Sequence, residues 1–253
     1  MVKTFKQFLK EAKQLKEENS KYKPGEFGYQ WTVIEGREDL EGKVYKGNIS
    51  CIGKNLTSLR GCPKEVTGNL YCSYNELTSL EGAPEIVRGN FDCSNNQLTS
   101  LEGCPKEIGG WFECDHNQIT SLKGGPKQVT GGYHCDYNKL TTLEGCPEKI
   151  NGDFDCSRNK LSTLDGGPKE TGHFLCNDNK LKNFKGAPEI VRGNIFAENN
   201  SFTSLDGLPK SIFGNLNISN FNSLGGIDKL KELGIHLYGY IYSDGKKIKY
   251  DMK

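Results

Sequence analysis

The sequence predicts a β-rich solenoid, in which short strands stack into a parallel sheet and each coil takes about 21 residues. Three columns of residues predict it. Cys51, Cys72, Cys93, Cys114, Cys135 and Cys156 stand 21 residues apart, Cys176 follows after 20, and Ala197 and Ile218 continue the column. Pro63, Pro84, Pro105, Pro126, Pro147, Pro168, Pro188 and Pro209 keep the same steps. The 20-residue step falls in both columns, so one residue is missing between Gly167 and Cys176. Asn75, Asn96, Asn117, Asn138, Asn159, Asn179 and Asn200 form the third column.

A full unit, read from Leu77, is LTSLEGAPEIVRGNFDCSNNQ. Phe91-Asp92-Cys93 alternates apolar and polar, the pattern of a strand with two inward residues. Leu70, Phe91, Phe112, Tyr133, Phe154, Phe174, Ile195 and Leu216 fill the slot two before the Cys column. Pairs such as Leu77/Leu80, Leu98/Leu101 and Leu140/Leu143 supply two further inward rows. One unit cannot bury these rows alone; stacked units bury them together. The Asn column falls where the chain turns after the strand and its polar groups lose partners. An amide that donates and accepts serves that turn. The first unit has Lys54 in this slot, so its turn is expected to be irregular. Gly-x-Pro then opens the return segment. Proline is excluded from ladders and helix interiors, so that side is expected to be extended or polyproline-like.

The run Phe91-x-Cys93-x-x-Asn96-x-Leu98 resembles the L-x-L-x-x-N-x-L segment of leucine-rich repeats, and it recurs across residues 40 to 225. The resemblance implies a right-handed coil or horseshoe with a parallel concave sheet, an extended convex side, a short N-terminal helix and a C-terminal helix-hairpin cap.

The ten cysteines fit this reading as small buried apolar residues. Neighbouring coils hold side chains about 4.8 Å apart, wider than a disulfide prefers. No C-x-x-C occurs and His spacing matches no zinc site, so no metal or cofactor is expected. Free thiols point to a reducing intracellular compartment such as a host cytoplasm.

Two segments are expected, a helix or leader in residues 1–25 and one solenoid domain in residues 26–253. Residues 26–47 would cap its start, 48–225 hold the repeats, and 226–253 cap its end. Phe5, Phe8, Leu9, Ala12 and Leu15 share one helical face. Lys3-Thr4-Phe5-Lys6-Gln7-Phe8-Leu9-Lys10-Glu11-Ala12 resembles the capsid-targeting leader of internal head proteins of T-even-type phages. That resemblance implies cleavage between Glu11 and Ala12 and packaging in a phage head. At the other end, residues 227 to 233 read as a short helix, followed by a hairpin turning at Asp244-Gly245.

Function is sought on the concave face, since a fold alone does not define it. Strand parity places Tyr71, Tyr74, Asp92, Trp111, Glu113, Asp115, His116, His134, Asp136, Tyr137, Asp153, Asp155 and Arg158 there. Acids and aromatics dominate this set, while many Lys and Arg fall on the return segments. That division predicts a charge dipole and a basic protein partner for the concave face. A net charge of +1 and an acidic face argue against nucleic acid. No run of about 18 apolar residues exists to cross a membrane. No nucleophile motif, phosphate loop or HExxH appears, so an enzyme is not expected. The function expected is therefore a protein-binding module, and the leader resemblance implies one packaged in a phage head and acting on a host protein or defence system. A structural virion protein and a secreted bacterial effector are the alternatives. Oligomeric state is left open.

Overall fold

The computed structural model describes residues 3–8, 10 and 40–250. They form a β-solenoid of about nine parallel turns of ~21 residues. The front sheet has eleven strands, beginning at Ile49–Ser50 and continuing through Leu70–Tyr71, Phe91–Asp92, Phe112–Glu113 and Tyr133–His134. It ends in the antiparallel pair Tyr240–Ser243 and Lys246–Lys249. Register keeps each column intact, with Phe91 opposite Phe112, Phe112 opposite Tyr133 and Tyr133 opposite Phe154.

The return side is more regular than the prolines suggested. Val44–Tyr45, Glu65–Val66, Ile86–Val87, Glu107–Ile108 and Gln128–Val129 form a five-stranded parallel back sheet. Glu170–Thr171, Ile190–Val191, Ser211–Ile212 and His236–Leu237 form a second, four-stranded one. Proline is tolerated because it precedes each strand and stays out of the ladder. Between the two, residues 149 and 150 keep only isolated bridges, Val129 to Ile150 and Lys149 to Glu170. Before each proline the chain reverses in a hydrogen-bonded turn, such as Ala83 N–H to Leu80 O at 3.0 Å. Gly82 occupies the third place of that turn at φ +85°, a value suited to glycine.

The core lies between the sheets. Phe91, Phe112, Tyr133, Phe154 and Phe174 are fully buried and pack ring to ring along the axis. Phe91 and Phe112 stack at 15°, whereas Tyr133 stands at 84° to Phe112. The Tyr133 hydroxyl approaches Gly125, in the slot that holds Cys104 and Cys146 in neighbouring coils; a Cβ on Gly125 would lie 3.3 Å from it. That hydroxyl is buried without a hydrogen-bond partner.

All ten cysteines are free. In the main column the thiols of Cys51, Cys72, Cys93, Cys114, Cys135 and Cys156 each donate to a carbonyl of the next coil, at 3.2 to 3.4 Å. Burial pushes the Cys51 thiol up to about 12, and it raises the others as well. A soluble alkylating reagent is expected to spare the native thiols. Cys146, the one cysteine that is only partly buried, should react first, and all ten should react once the chain is unfolded. Mass spectrometry after timed alkylation checks this; rapid native labelling of the main column would contradict the buried placement.

The Asn column works as a stitch between coils. Asn75 Oδ1 accepts the backbone N–H groups of Lys54 and Leu56, both at 2.9 Å. Its Nδ2 donates to Cys51 O, Cys72 O and Ser73 O. The first turn is irregular as expected, with both Gly53 and Asn55 at positive φ.

At the N-terminus, Lys3–Thr4 adds a parallel strand beside Leu56–Ser58. Helical residues start at Phe5, and their start carries a capping box. Thr4 Oγ1 accepts the Gln7 N–H at 3.2 Å, and Gln7 Oε1 accepts the Thr4 N–H at 2.8 Å. Phe5 is fully buried and packs against Phe8. Glu11, Ala12, the rest of the expected helix and Trp31 lie outside the described residues. The opposite end carries the helix Gly226–Glu232 and the hairpin, which turns at Asp244 and Gly245.

Candidate functional site

Two polar columns line the outer side of the front sheet, and both are built mainly for structure. The first lies three residues before the Cys column. Asn48 Oδ1 accepts the Asn69 N–H, Asn69 accepts that of Asn90, and Asn90 accepts that of Trp111, at 2.8 to 2.9 Å. The ladder resumes at Asp153, which accepts the His173 N–H, and runs through His173, Asn194 and Asn215. Between these runs stand Trp111 and Gly132. An indole offers no acceptor and glycine has no side chain, so the backbone N–H groups of Gly132 and Asp153 receive no side-chain partner from this ladder.

The second column lies two residues after the Cys column, where the backbone turns left-handed. Asn95, Asp178, Asn199 and Asn220 occupy it at φ 52 to 57°. Asn and Asp tolerate this region, whereas bulkier residues occupy it at a conformational cost. Yet His116, Tyr137 and Arg158 hold it in three successive coils, and Tyr74 in an earlier one, at φ 48 to 55°. Both columns therefore depart from the residue that suits the fold, and they do so in the same stretch of coils.

These departures assemble into one patch. The Trp111 indole lies on Gly131 and Gly132, where a Cβ on Gly132 would fall 2.5 Å from the ring. Its ring centroid is 5.0 Å from that of His134, at 75°. His116 stacks on Tyr137 at 4.1 Å and 19°, and Arg158 lies 4.5 Å from the Tyr137 ring centre. Arg158 also pairs with Asp178 at 3.5 Å.

Carboxylates fill the strand positions between the columns. Asp92, Glu113, His134 and Asp155 are successive neighbours in register. Asp115 and Asp136 sit two residues beyond Glu113 and His134. Among the described residues no Lys or Arg pairs with Asp92, Glu113, Asp136 or Asp155. Partial burial and the neighbouring Asp92 and Asp115 raise the Glu113 carboxyl to about 7. Burial, Asp155 and Asp115 raise Asp136 to about 7. The unfolded chain ionises these groups at ordinary carboxylate values, so between that range and pH 7 the folded chain binds more protons. Their contribution to stability is then lost as pH rises through this window. Raising the pH from about 5 to about 8 should lower the urea midpoint more in the wild type than in a Glu113→Gln/Asp136→Asn variant. Parallel pH profiles would remove the assigned coupling.

Several expected site residues have local duties. Asp92 Oδ1 accepts the Ser94 N–H and hydroxyl, Asp155 Oδ1 accepts the Ser157 N–H, and Asp153 belongs to the Asn-type ladder. Tyr71 Oη takes a hydrogen bond from Asn69 Nδ2 at 2.8 Å. Tyr74, exposed to 64%, stands apart from the central aromatic cluster. The first polar column was not foreseen, although Asn48, Asn69, Asn90, Asn194 and Asn215 spell it in the sequence.

Many of the return-segment cations have acidic partners on their own side. Arg60 pairs with Glu81, Arg88 with Glu65 and Glu107, Lys123 with Glu144, and Arg192 with Glu170. A shallow recess of about 520 Å³ lies there too, at the break in the back sheet. It is lined by Lys127, Gln128, Thr130, Glu148 and Lys149 among others, away from the acidic patch.

Among the described residues, no three His, Cys, Asp or Glu side chains are grouped to hold a metal ion. No helix among them is long and apolar enough to cross a membrane. No protein-family model and no curated protein matches the chain.

Proposed function

We propose that the chain is a protein-binding module of the leucine-rich-repeat type, whose front face, concave in that architecture, captures a basic partner protein. One observation carries this reading: two structural columns give up their preferred residues in the same coils, placing Trp111, His116, Tyr137 and Arg158 there. A merely solvated sheet face has no reason to lose ladder hydrogen bonds at Gly132 and Asp153. Residues that break a local rule together mark a functional surface. The chemistry of the patch is that of a binding hot spot, with aromatic rings bordered by Asp92, Glu113, Asp136 and Asp155, which have no Lys or Arg partner among the described residues. The free thiols suit a reducing compartment.

The test is affinity capture with the full chain as bait, at low and high salt, beside an Asp115→Asn/Asp136→Asn/Asp155→Asn variant. A basic protein held at low salt, released at high salt and lost from the variant is the expected result. Equal capture by the variant would overturn the acidic-face reading.

A further inference from the structure

We infer that the patch takes an arginine side chain of its partner, with the guanidinium lying on Trp111 and hydrogen-bonded to the bordering carboxylates, Glu113 foremost. The inference rests on the protein-binding reading above and names the group that is bound.

Four observations lead to it. The Trp111 indole lies against the backbone of Gly131 and Gly132 and beside His134 at 5.0 Å, and it stays partly exposed, so part of the ring is open to a cation. Tryptophan is the strongest cation–π acceptor among side chains, and arginine its more frequent partner. Asp92, Glu113, Asp136 and Asp155 have no Lys or Arg partner among the described residues, while Asp115 is engaged by His116 Nδ1 at 2.9 Å. The same coils already hold one guanidinium in this manner, since Arg158 lies over the Tyr137 ring and pairs with Asp178. Finally, Ser157 Oγ is buried, with the residue 6% exposed, and has no hydrogen-bond partner. Ser157 belongs to the row of Asp115 and Asp136. Its counterpart Ser94 gives its hydroxyl to Asp92 at 2.7 Å, whereas the Ser157 hydroxyl, next in the row after Asp136, is left without a partner.

A guanidinium suits this surface better than an ammonium. It is planar, so it can stack on a ring while its edge donates to carboxylates. An ammonium is compact and strongly hydrated, and gains less from a flat platform. Glu113 and Asp136 are held protonated more than ordinary carboxyls, so an incoming cation displaces protons from them. Binding should therefore tighten as pH rises from about 6 to about 8.

The experiment exploits the tryptophan count. The chain has two, Trp31 and Trp111, so a Trp31→Phe background makes Trp111 the only emitter. The probes are acetylated, amidated repeats of Gly-Arg, Gly-Lys and Gly-citrulline, titrated while Trp111 fluorescence is followed. The Gly-Arg peptide should bind about fivefold or more tighter than Gly-Lys, and Gly-citrulline should not saturate. Glu113→Gln should weaken the Gly-Arg peptide severalfold while its unfolding midpoint stays at or above that of its parent, since the exchange removes a carboxyl that costs stability when ionised. Equal affinity for Gly-Arg and Gly-Lys would overturn the guanidinium inference and leave the basic-partner reading standing. Saturable binding of Gly-citrulline would overturn it too, by making charge irrelevant. Failure of both cationic peptides would count against the acidic face as a binding surface altogether.

Discussion

Asn138→Ala is expected to destabilise the fold by about 4 kcal/mol, because four hydrogen bonds between and within coils end on that one amide. Asn138 Oδ1 accepts the Ile119 N–H at 3.0 Å. Its Nδ2 is shared among Cys114 O, Cys135 O and Asp136 O, at 3.0 to 3.2 Å. Alanine removes the amide and leaves these main-chain groups behind. A buried polar group left unpaired costs about 1–3 kcal/mol, and water that enters the gap offsets part of the total. Urea unfolding followed by circular dichroism measures the loss. Asn138→Asp sharpens the test. Its introduced carboxylate would keep the acceptor but face three carbonyl oxygens with no proton to give. Protonation restores a donor, so the folded-state pKa is raised and stability is lost as pH rises. Asn138→Asp should therefore be milder near pH 5 than near pH 8, whereas Asn138→Ala should show no such trend of its own. A loss below about 1 kcal/mol for Asn138→Ala would show that the stitch is dispensable.

Phe5→Ala is expected to have a comparable effect, about 3–5 kcal/mol, through a different mechanism. Phe5 is fully buried and belongs to the core cluster beside the first described coil. The ring packs against Phe8, and the strand Lys3–Thr4 covers the edge of Leu56–Ser58. Truncation leaves a cavity in the core, which the surrounding side chains fill only in part. The readout is the urea midpoint, with hydrogen exchange at Leu56 to Ser58 reporting the local part. Thr4→Ala, which removes one arm of the capping box, should cost about 1 kcal/mol. Unchanged stability in Phe5→Ala would mean that the first coil closes without this residue. A cut between Glu11 and Ala12, as in the leader-type processing considered above, would remove the same ring. The cut chain should therefore lose at least as much as Phe5→Ala in both measurements, because the paired strand Lys3–Thr4 leaves with the ring.

The solenoid was legible in the sequence because each coil repeats its inward residues at fixed spacing. Cys72, Leu77 and Leu80 recur one coil on as Cys93, Leu98 and Leu101, and all six are buried. The return side was less legible. Proline forbids ladder pairing only at its own position, and the strands Glu65–Val66 and Ile86–Val87 begin two residues after it. The site was half legible. Acids and aromatics could be placed on the face by parity, and Trp111, Glu113 and His134 do share it. The roles of Asp153 and His173 were hidden because a ladder bond depends on the side chain one coil away. Left-handed backbone at His116, Tyr137 and Arg158 was equally hidden, since nothing in those residue types announces it.

The two polar columns also bear on how such a surface can change over generations. Each coil offers two positions, one in each column, where Asn is the neutral occupant and any other residue is a departure. Exchanging those positions alters the outer relief while the Phe, Leu and Cys rows beneath stay as they are. Inserting or losing a whole coil, as the missing residue between Gly167 and Cys176 hints on a smaller scale, would lengthen or shorten the row of exposed groups by one strand spacing, about 4.8 Å. On the binding reading proposed above, recognition can thus drift in discrete steps along the axis at the cost of a few ladder bonds, because the buried rows that carry most of the stacking occupy other letters of the same repeat.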